Sequence, residues 1–237
     1  MPRKILVLDP GHGGQDPGAV GNGLLEKEIT LELGKKVAQR LANYDVTVRL
    51  TRENDTYISL TQRTAFANNL KADYFLSIHV NAGGGTGFES FIYNGGVSSA
   101  TINIRSEIHD TLVSFLQNHN VVDRGKKKAN FAVIRETIMP AALIENLFID
   151  SIKDTALLKN IDFMNDLSDA ITLGLVKGLN LVQVTPTKPP QPPTIWDPQG
   201  EVQQLIDAGI LANHHPADKP VTWGEFAAVI NRIIKMK

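Results

Sequence analysis

Lys4-Ile-Leu-Val-Leu-Asp-Pro-Gly-His-Gly-Gly14 is the stretch on which the fold class turns. Its first half is a short apolar run that Pro10-Gly11 stops, so Lys4–Asp9 reads as a buried strand meeting a loop. Tyr74-Phe-Leu-Ser-Ile-His-Val80 repeats the form. Between them, Glu26–Asn43 carries Ile29, Leu33, Val37 and Leu41 at four-residue spacing, the mark of an amphipathic helix. Asp45–Thr51 alternates Val46, Val48 and Leu50 as a strand, and Ser59 can cap a helix running to about Leu70. Further on come a strand at Gly87–Tyr93 and a helix over Ser99–His119. Two short strands follow at Phe131–Arg135 and Ala141–Glu145, then helices near Ile152–Leu158 and Phe163–Leu179. Strands separated by helices predict an α/β fold: a mostly parallel twisted sheet with helices on both faces.

The pattern breaks at Thr185. Five of the 12 prolines (Pro186, Pro189, Pro190, Pro192, Pro193) fall in Thr185–Thr194, a semi-rigid spacer that cannot join a core. The expected organisation is a large α/β domain over 1–184, a Pro-rich linker over 185–194 and a small helical C-terminal domain over 195–237, with helices at Gln199–Ala208 and Trp223–Ile233. With 24 Lys+Arg against 25 Asp+Glu, the 237-residue chain has no global pull on nucleic acid or anionic lipid. No apolar run approaches the roughly 20 residues of a spanning helix, so no membrane insertion is expected. Met1–Asp9 does not read as a secretory signal, because its apolar run is only Ile5 to Leu8. There are no cysteines, so any metal site must use His, Asp or Glu.

His12 lies just past the first strand, and His79 at the end of Ser77-Ile-His-Val-Asn-Ala82. Ligands of open α/β sheets bind outside such strand ends, so the two histidines can converge. Glu26 opens the first helix, where it could equally serve only the amide ends. Glu145 interrupts the apolar stretch from Pro140 to Ile149, so it is salt-bridged, metal-bound or a general base with a raised pKa. Two His and one or two Glu form a hydrolytic zinc set: His12, Glu26 and His79 would be ligands and Glu145 the base. Glu89, Asn81 and Arg63 are candidate substrate-contacting or secondary residues. Arg124-Gly-Lys-Lys-Lys128 reads as a solvated loop, His109 and His119 as surface groups, and His214-His215 as part of a simple turn.

Leu8-Asp-Pro-Gly-His-Gly-Gly14, Gly23-Leu-Leu-Glu-Lys27, Ser77-Ile-His-Val-Asn-Ala82, Gly87-Phe-Glu89 and Met139-Pro-Ala-Ala-Leu-Ile-Glu145 occur in that order. Together they resemble the zinc-dependent N-acetylmuramoyl-L-alanine amidases of the third amidase family, over roughly residues 4 to 180. Asn130-Phe-Ala-Val-Ile-Arg135 resembles the family's segment before its final strand. The resemblance implies one zinc per catalytic domain on His12, Glu26 and His79, with Glu145 catalytic. It also implies hydrolysis of the amide between muramic acid and the first L-alanine of the peptidoglycan stem. One departure is Asn146-Leu-Phe148, where the family has a Gly-Phe pair after the catalytic Glu. Val202–Ile210 and Pro220–Ala227 resemble an S-layer-homology-type helical repeat, which implies wall attachment.

A cytoplasmically made wall hydrolase without an export signal suggests a phage or prophage endolysin that depends on a holin for release. A host autolysin is the alternative. A zinc peptidase cutting within the stem, or a wall-binding protein without catalysis, are the other readings.

Overall fold

The computed structural model describes residues 3–184, 198–211, 220 and 222–235. The chain divides into two compact units, Met1–Thr185 and Pro186–Lys237. In chain order the first unit holds β1 (Lys4–Pro10), β2 (Val20–Gly21), β3 (Leu24–Leu25), α1 (Glu26–Leu41), β4 (Val46–Leu50), α2 (Leu60–Asn69), β5 (Tyr74–Asn81) and β6 (Phe88–Tyr93). It continues with α3 (Ser99–Leu116), β7 (Asp123–Ala129), α4 (Ala132–Arg135), β8 (Ala141–Phe148), α5 (Ile152–Leu158) and α6 (Ile161–Leu179).

Six strands form one sheet in the order β4-β1-β5-β8-β6-β7. All neighbours are parallel except β6 and β8, so the expected mostly parallel sheet is present with one antiparallel join. Period-2 alternation splits the core. Leu6, Leu8, Leu76, Ile78 and Ile144 face α1, α3 and α6 in one cluster. Val7, Phe75, Ala141 and Leu143 face α2 and α4 in the other. The apolar stripe of α1 (Ile29, Leu33, Val37, Leu41) is buried as its spacing requires. Ser59 caps α2 through a reciprocal capping box with Gln62.

Three local expectations are corrected. Ala132–Arg135 is a single helical turn, not a strand, and it buries the adjacent Val133 and Ile134, which a strand would point to opposite faces. The basic run Arg124–Lys128 is not a loop but most of the edge strand β7, paired to β6 from Phe88↔Asp123 to Tyr93↔Ala129. His109 is buried, not a surface group: Nδ1 meets Ser90 Oγ at 2.8 Å and Nε2 meets Asp123 Oδ1 at 3.1 Å. His119 is partly buried, its ring packed on Phe115 and Phe163.

The second unit contains α7 (Pro198–Asp207) and α8 (Trp223–Lys235). Thr222 and Glu225 form a capping box ahead of α8: Glu225 N donates to Thr222 Oγ1 and Thr222 N donates to Glu225 Oε2. Thr185–Thr194 and His214-His215 lie outside the described residues. Among the described residues no helix is long and apolar enough to cross a membrane.

Candidate metal centre and active site

From β1 the chain passes through α1 to β4 on one side, then through α2 to β5 on the other. The strand order therefore reverses beside β1, and a crevice opens at the carboxyl ends of β1, β5 and β8.

His12 stands at the first of these ends, in left-handed backbone at φ 62°. Two buried arginines hold its loop from beneath. Arg63 donates to Asp9 Oδ1 (2.8 Å), Pro10 O (2.7 Å) and His12 O (2.7 Å). Arg52 donates to Pro10 O (3.0 Å), Gly11 O (2.8 Å) and Lys27 O (2.7 Å). Arg63, a candidate substrate contact on sequence grounds, thus spends its donors on the loop although it borders the cleft. Arg52 escaped the sequence reading altogether, since Thr51-Arg-Glu53 carries no periodic or motif signal.

Glu26, the first residue of α1, turns its buried carboxylate into the crevice and not back along its own helix. Oε1 lies 2.9 Å from His79 Nδ1, and Oε2 lies 3.1 Å from His12 Nε2. Val80 N and Ala19 N donate to the same two oxygens at 3.0 and 2.8 Å. The other nitrogen of His12 meets Asp16 Oδ2 at 2.9 Å. Burial alone would push Glu26 up. Hydrogen bonds from His12 and His79 overcome it and hold the carboxyl well below its usual range. Both imidazoles are raised in turn: burial opposes their protonation, but Glu26 outweighs it, with Asp16 aiding at His12 and Glu145 at His79.

This is a donor set for a small cation. One atom from each of His12, Glu26 and His79 lies within 4.8 Å of the others. Tetrahedral zinc with bonds of about 2.0–2.1 Å needs ligand atoms roughly 3.3 Å apart, and the two His–Glu separations are close to that. The Asp16 carboxylate behind His12 is the outer partner that metal-bound histidines usually have. The surrounding backbone leaves room only for glycine: a Cβ on Gly18 would lie 2.6 Å from Glu26 Oε2, and one on Gly11 would lie 2.3 Å from His79 Cε1.

Glu145 sits on β8 directly beside His79 in the sheet register. The residue is half-buried, but Oε2 is sealed from solvent and meets no hydrogen-bond donor. Burial pushes the carboxyl up to about 7, with the Glu26 and Glu89 charges adding to the effect against His79. His12, His79 and Glu145 open onto a cleft of about 550 Å³ whose far walls include Tyr57, Leu60, Phe131 and Val133.

A family model for N-acetylmuramoyl-L-alanine amidase matches residues 6–177. The chain belongs to that family. It is 49% identical over 178 residues to a sporulation-specific N-acetylmuramoyl-L-alanine amidase of Bacillus subtilis, covering 74% of this chain and 68% of the relative. To an endolysin of Bacillus phage SPP1 it is 44% identical over 181 residues, covering 75% and 67%. Among solved structures, the catalytic domain of the amidase CwlV from Bacillus (Paenibacillus) polymyxa superposes with TM-score 0.69 at 37% identity, covering 75% of this chain and 98% of that one. An amidase from Clostridium difficile 630 gives TM-score 0.71 at 34% identity, covering 76% and 98%.

Two further residues of this amidase-family chain lie beside the site. Glu89 of β6 pairs across the antiparallel join with Glu145. It does not face solvent, as strand alternation allowed, but is buried. It accepts Asn81 Nδ2 at 2.7 Å and Arg124 Nε at 3.0 Å, and forms an ion pair with Lys127. The departure after Glu145 also has a structural counterpart. Matching Phe148 to the family's Phe sets Leu147 where the Gly would be, and Leu147 is fully buried at φ 68°.

Proposed function

We propose that this chain hydrolyses the amide between the lactyl group of N-acetylmuramic acid and L-alanine of the peptidoglycan stem, with one zinc on His12, Glu26 and His79 and Glu145 as the proton-transfer group. The observation that carries the reading is the His–Glu–His cluster set one strand away from a carboxylate with an unpartnered, sealed oxygen. Zinc there supplies a Lewis acid for the scissile carbonyl, a water of lowered pKa and a positive charge favouring ionised Glu145. Glu26 and the two histidines hold the donor atoms, and Asp16 fixes the His12 ring so that Nε2 faces inward. Glu145, whose side chain lines the cleft, takes the proton of the attacking water on its carboxylate and returns it to the departing L-alanine nitrogen. Arg52 and Arg63 keep the Pro10–Gly14 loop from moving while this happens.

We assign catalysis to residues 1–184, the linker to 185–194 and wall attachment to 195–237. For delivery, the endolysin reading with holin-dependent release is supported by the phage endolysin among the relatives, and the sporulation amidase supports the autolysin alternative. Expression with and without a holin tests it: lysis that does not depend on the holin removes that reading. The chemistry is tested by mass spectrometry of purified peptidoglycan after digestion. New L-alanine amino termini with intact glycan support the amidase. New termini within the stem would mean a peptidase.

A further inference from the structure

The catalytic face of the sheet carries a row of charges across four strands. His79 of β5 is in register with Glu145 of β8, and Glu145 with Glu89 of β6. Beyond Glu89, Arg124 and Lys127 come from β7. Pleating puts all of these on the side that faces α2 and α4, which is also the side of the cleft. Lys127 Nζ lies 5.9 Å from the Phe91 ring centre, and Phe91 stacks on the cleft residue Phe131 at 5.2 Å, so the ammonium stands by the cleft wall.

Glu89 is buried, but its two cations are not: the Arg124 and Lys127 side chains remain 34% and 38% exposed. One carboxylate balances one of two positive charges, leaving a net charge of about +1. Arg124 commits Nε to Glu89, and its plane rests 4.8 Å from the Phe148 ring centre, which fixes the fork's direction. Nη1 makes a long 3.4 Å bond to Thr86 O, which leaves Nη2 and the remaining protons of Lys127 for a ligand. The set is a fixed anion receptor with Glu89 as its anchor.

Resting on the proposed amidase reading, we infer that Arg124 and Lys127 bind a free carboxylate of the peptide stem, on the leaving side of the scissile amide. Strand neighbours lie about 4.8 Å apart, so Glu89 is two spacings, roughly 10 Å, from His79, and the charged ends of the two cations that converge on it lie roughly 10–13 Å away. An extended stem spans about 3.3–3.6 Å per residue, so the carboxylate reached belongs to the residue after L-alanine or the next one. The cations add nothing to the bond-breaking step. They select stems whose carboxyl group is free over stems in which it is amidated.

The probes are muramoyl-L-alanyl-D-glutamate and its D-isoglutamine counterpart, both blocked as the γ-methylamide so that they differ only in the α-carboxyl and carry no other free carboxylate on the stem. The zinc-loaded full chain is expected to prefer the free acid by about 10–100-fold in kcat/KM, chiefly through KM, as for a lost charge-assisted hydrogen bond. The preference should shrink as salt rises. Lys127→Gln and Arg124→Gln each leave Glu89 one cation, and each should lower the preference, read as the ratio of kcat/KM on the two substrates within each variant. Equal rates of the unmodified chain on both substrates overturn the inference while leaving the amidase reading intact, and they do so without any variant having to fold. A preference that survives in both variants also overturns it. No cleavage of either substrate removes the amidase reading, and the inference with it.

Discussion

Gly18→Ala tests the ligand cradle more sharply than deletion of a ligand, because it leaves every donor atom in the chain. Gly18 has φ +66°, and its added methyl would lie 2.6 Å from both Glu26 Oε2 and His12 Cδ2. Ordinary contact begins near 3.4 Å, so both groups must retreat by about 0.8 Å. Backbone strain comes on top: left-handed backbone costs an L-residue about 1–2 kcal/mol. Gly23→Ala separates the two effects, since Gly23 has φ +78° with nothing within 4 Å of its Cβ position. Both variants should lose roughly 2–8 °C of Tm in the metal-free state, at about 2–4 °C per kcal/mol for a domain of this size. Only Gly18→Ala should lose zinc affinity, by about 10–100-fold, the range seen when support around a ligand is lost. Chelator competition and thermal unfolding measure the two quantities. Wild-type zinc affinity in Gly18→Ala, or an equal loss in Gly23→Ala, would show that the cradle does not set the ligand geometry.

Glu145→Gln should keep zinc and fold yet lose at least about a hundredfold in turnover, whereas His79→Ala should lose metal and activity together; metal analysis beside kinetics distinguishes them. Zinc binding near pH 7 should release protons, because Glu26 raises both histidines above 6.5 and the metal must displace what they hold. Affinity then falls as pH drops through those raised values, and a pH-independent affinity would contradict it. His109 is lowered from 6.5, first by burial, so its contribution to stability is present above pH 6.5 and lost as pH falls through its folded value. Urea midpoints should show a shallower acid limb in His109→Gln than in the unmodified chain. Residues 1–184 alone should cleave soluble muropeptide at full rate but act less on whole walls, and an inactive fragment would tie the second unit to the fold. Leu147→Gly should destabilise: relief of about 1–2 kcal/mol of strain is smaller than the roughly 2–5 kcal/mol lost with a buried Leu side chain.

The sheet's central strands are legible because each is an apolar run broken by Gly or Pro, and α1 and α6 because their stripes keep a helical period. The edges are not. β7 carries no large apolar residue, since an edge strand with one face near solvent needs none, and a Lys-rich edge resists strand addition. Phe131–Arg135 is too short for periodicity to separate strand from helix. His109 looks like a surface residue because burial of a histidine depends on partners from distant segments, here Ser90 and Asp123. At the site, His12, Glu26 and His79 can be picked out by their positions near element ends, and Glu145 because it interrupts an apolar stretch. Arg52 cannot, and Arg63 can be picked out but not its contacts, because both satisfy backbone carbonyls that only the folded loop brings together.

The same logic explains how two glutamates a strand apart acquire opposite character. Glu26 and Glu145 are both withdrawn from water, and burial pushes each towards the neutral acid. Glu26 meets four donors, from Ala19, Val80, His12 and His79, so its ionised form is the stable one and a cation finds it already charged. Glu145 Oε2 meets none, so its proton is held only by burial and by the neighbouring negative charges. A carboxylate saturated with donors makes a good ligand and a poor base, and one starved of them is the reverse. The difference arises from the backbone. The chain passes from β3 straight into α1, which sets Glu26 by the strand ends where the N–H groups of Ala19 and Val80 reach it, whereas Glu145 lies within β8, where the ladder has already consumed them.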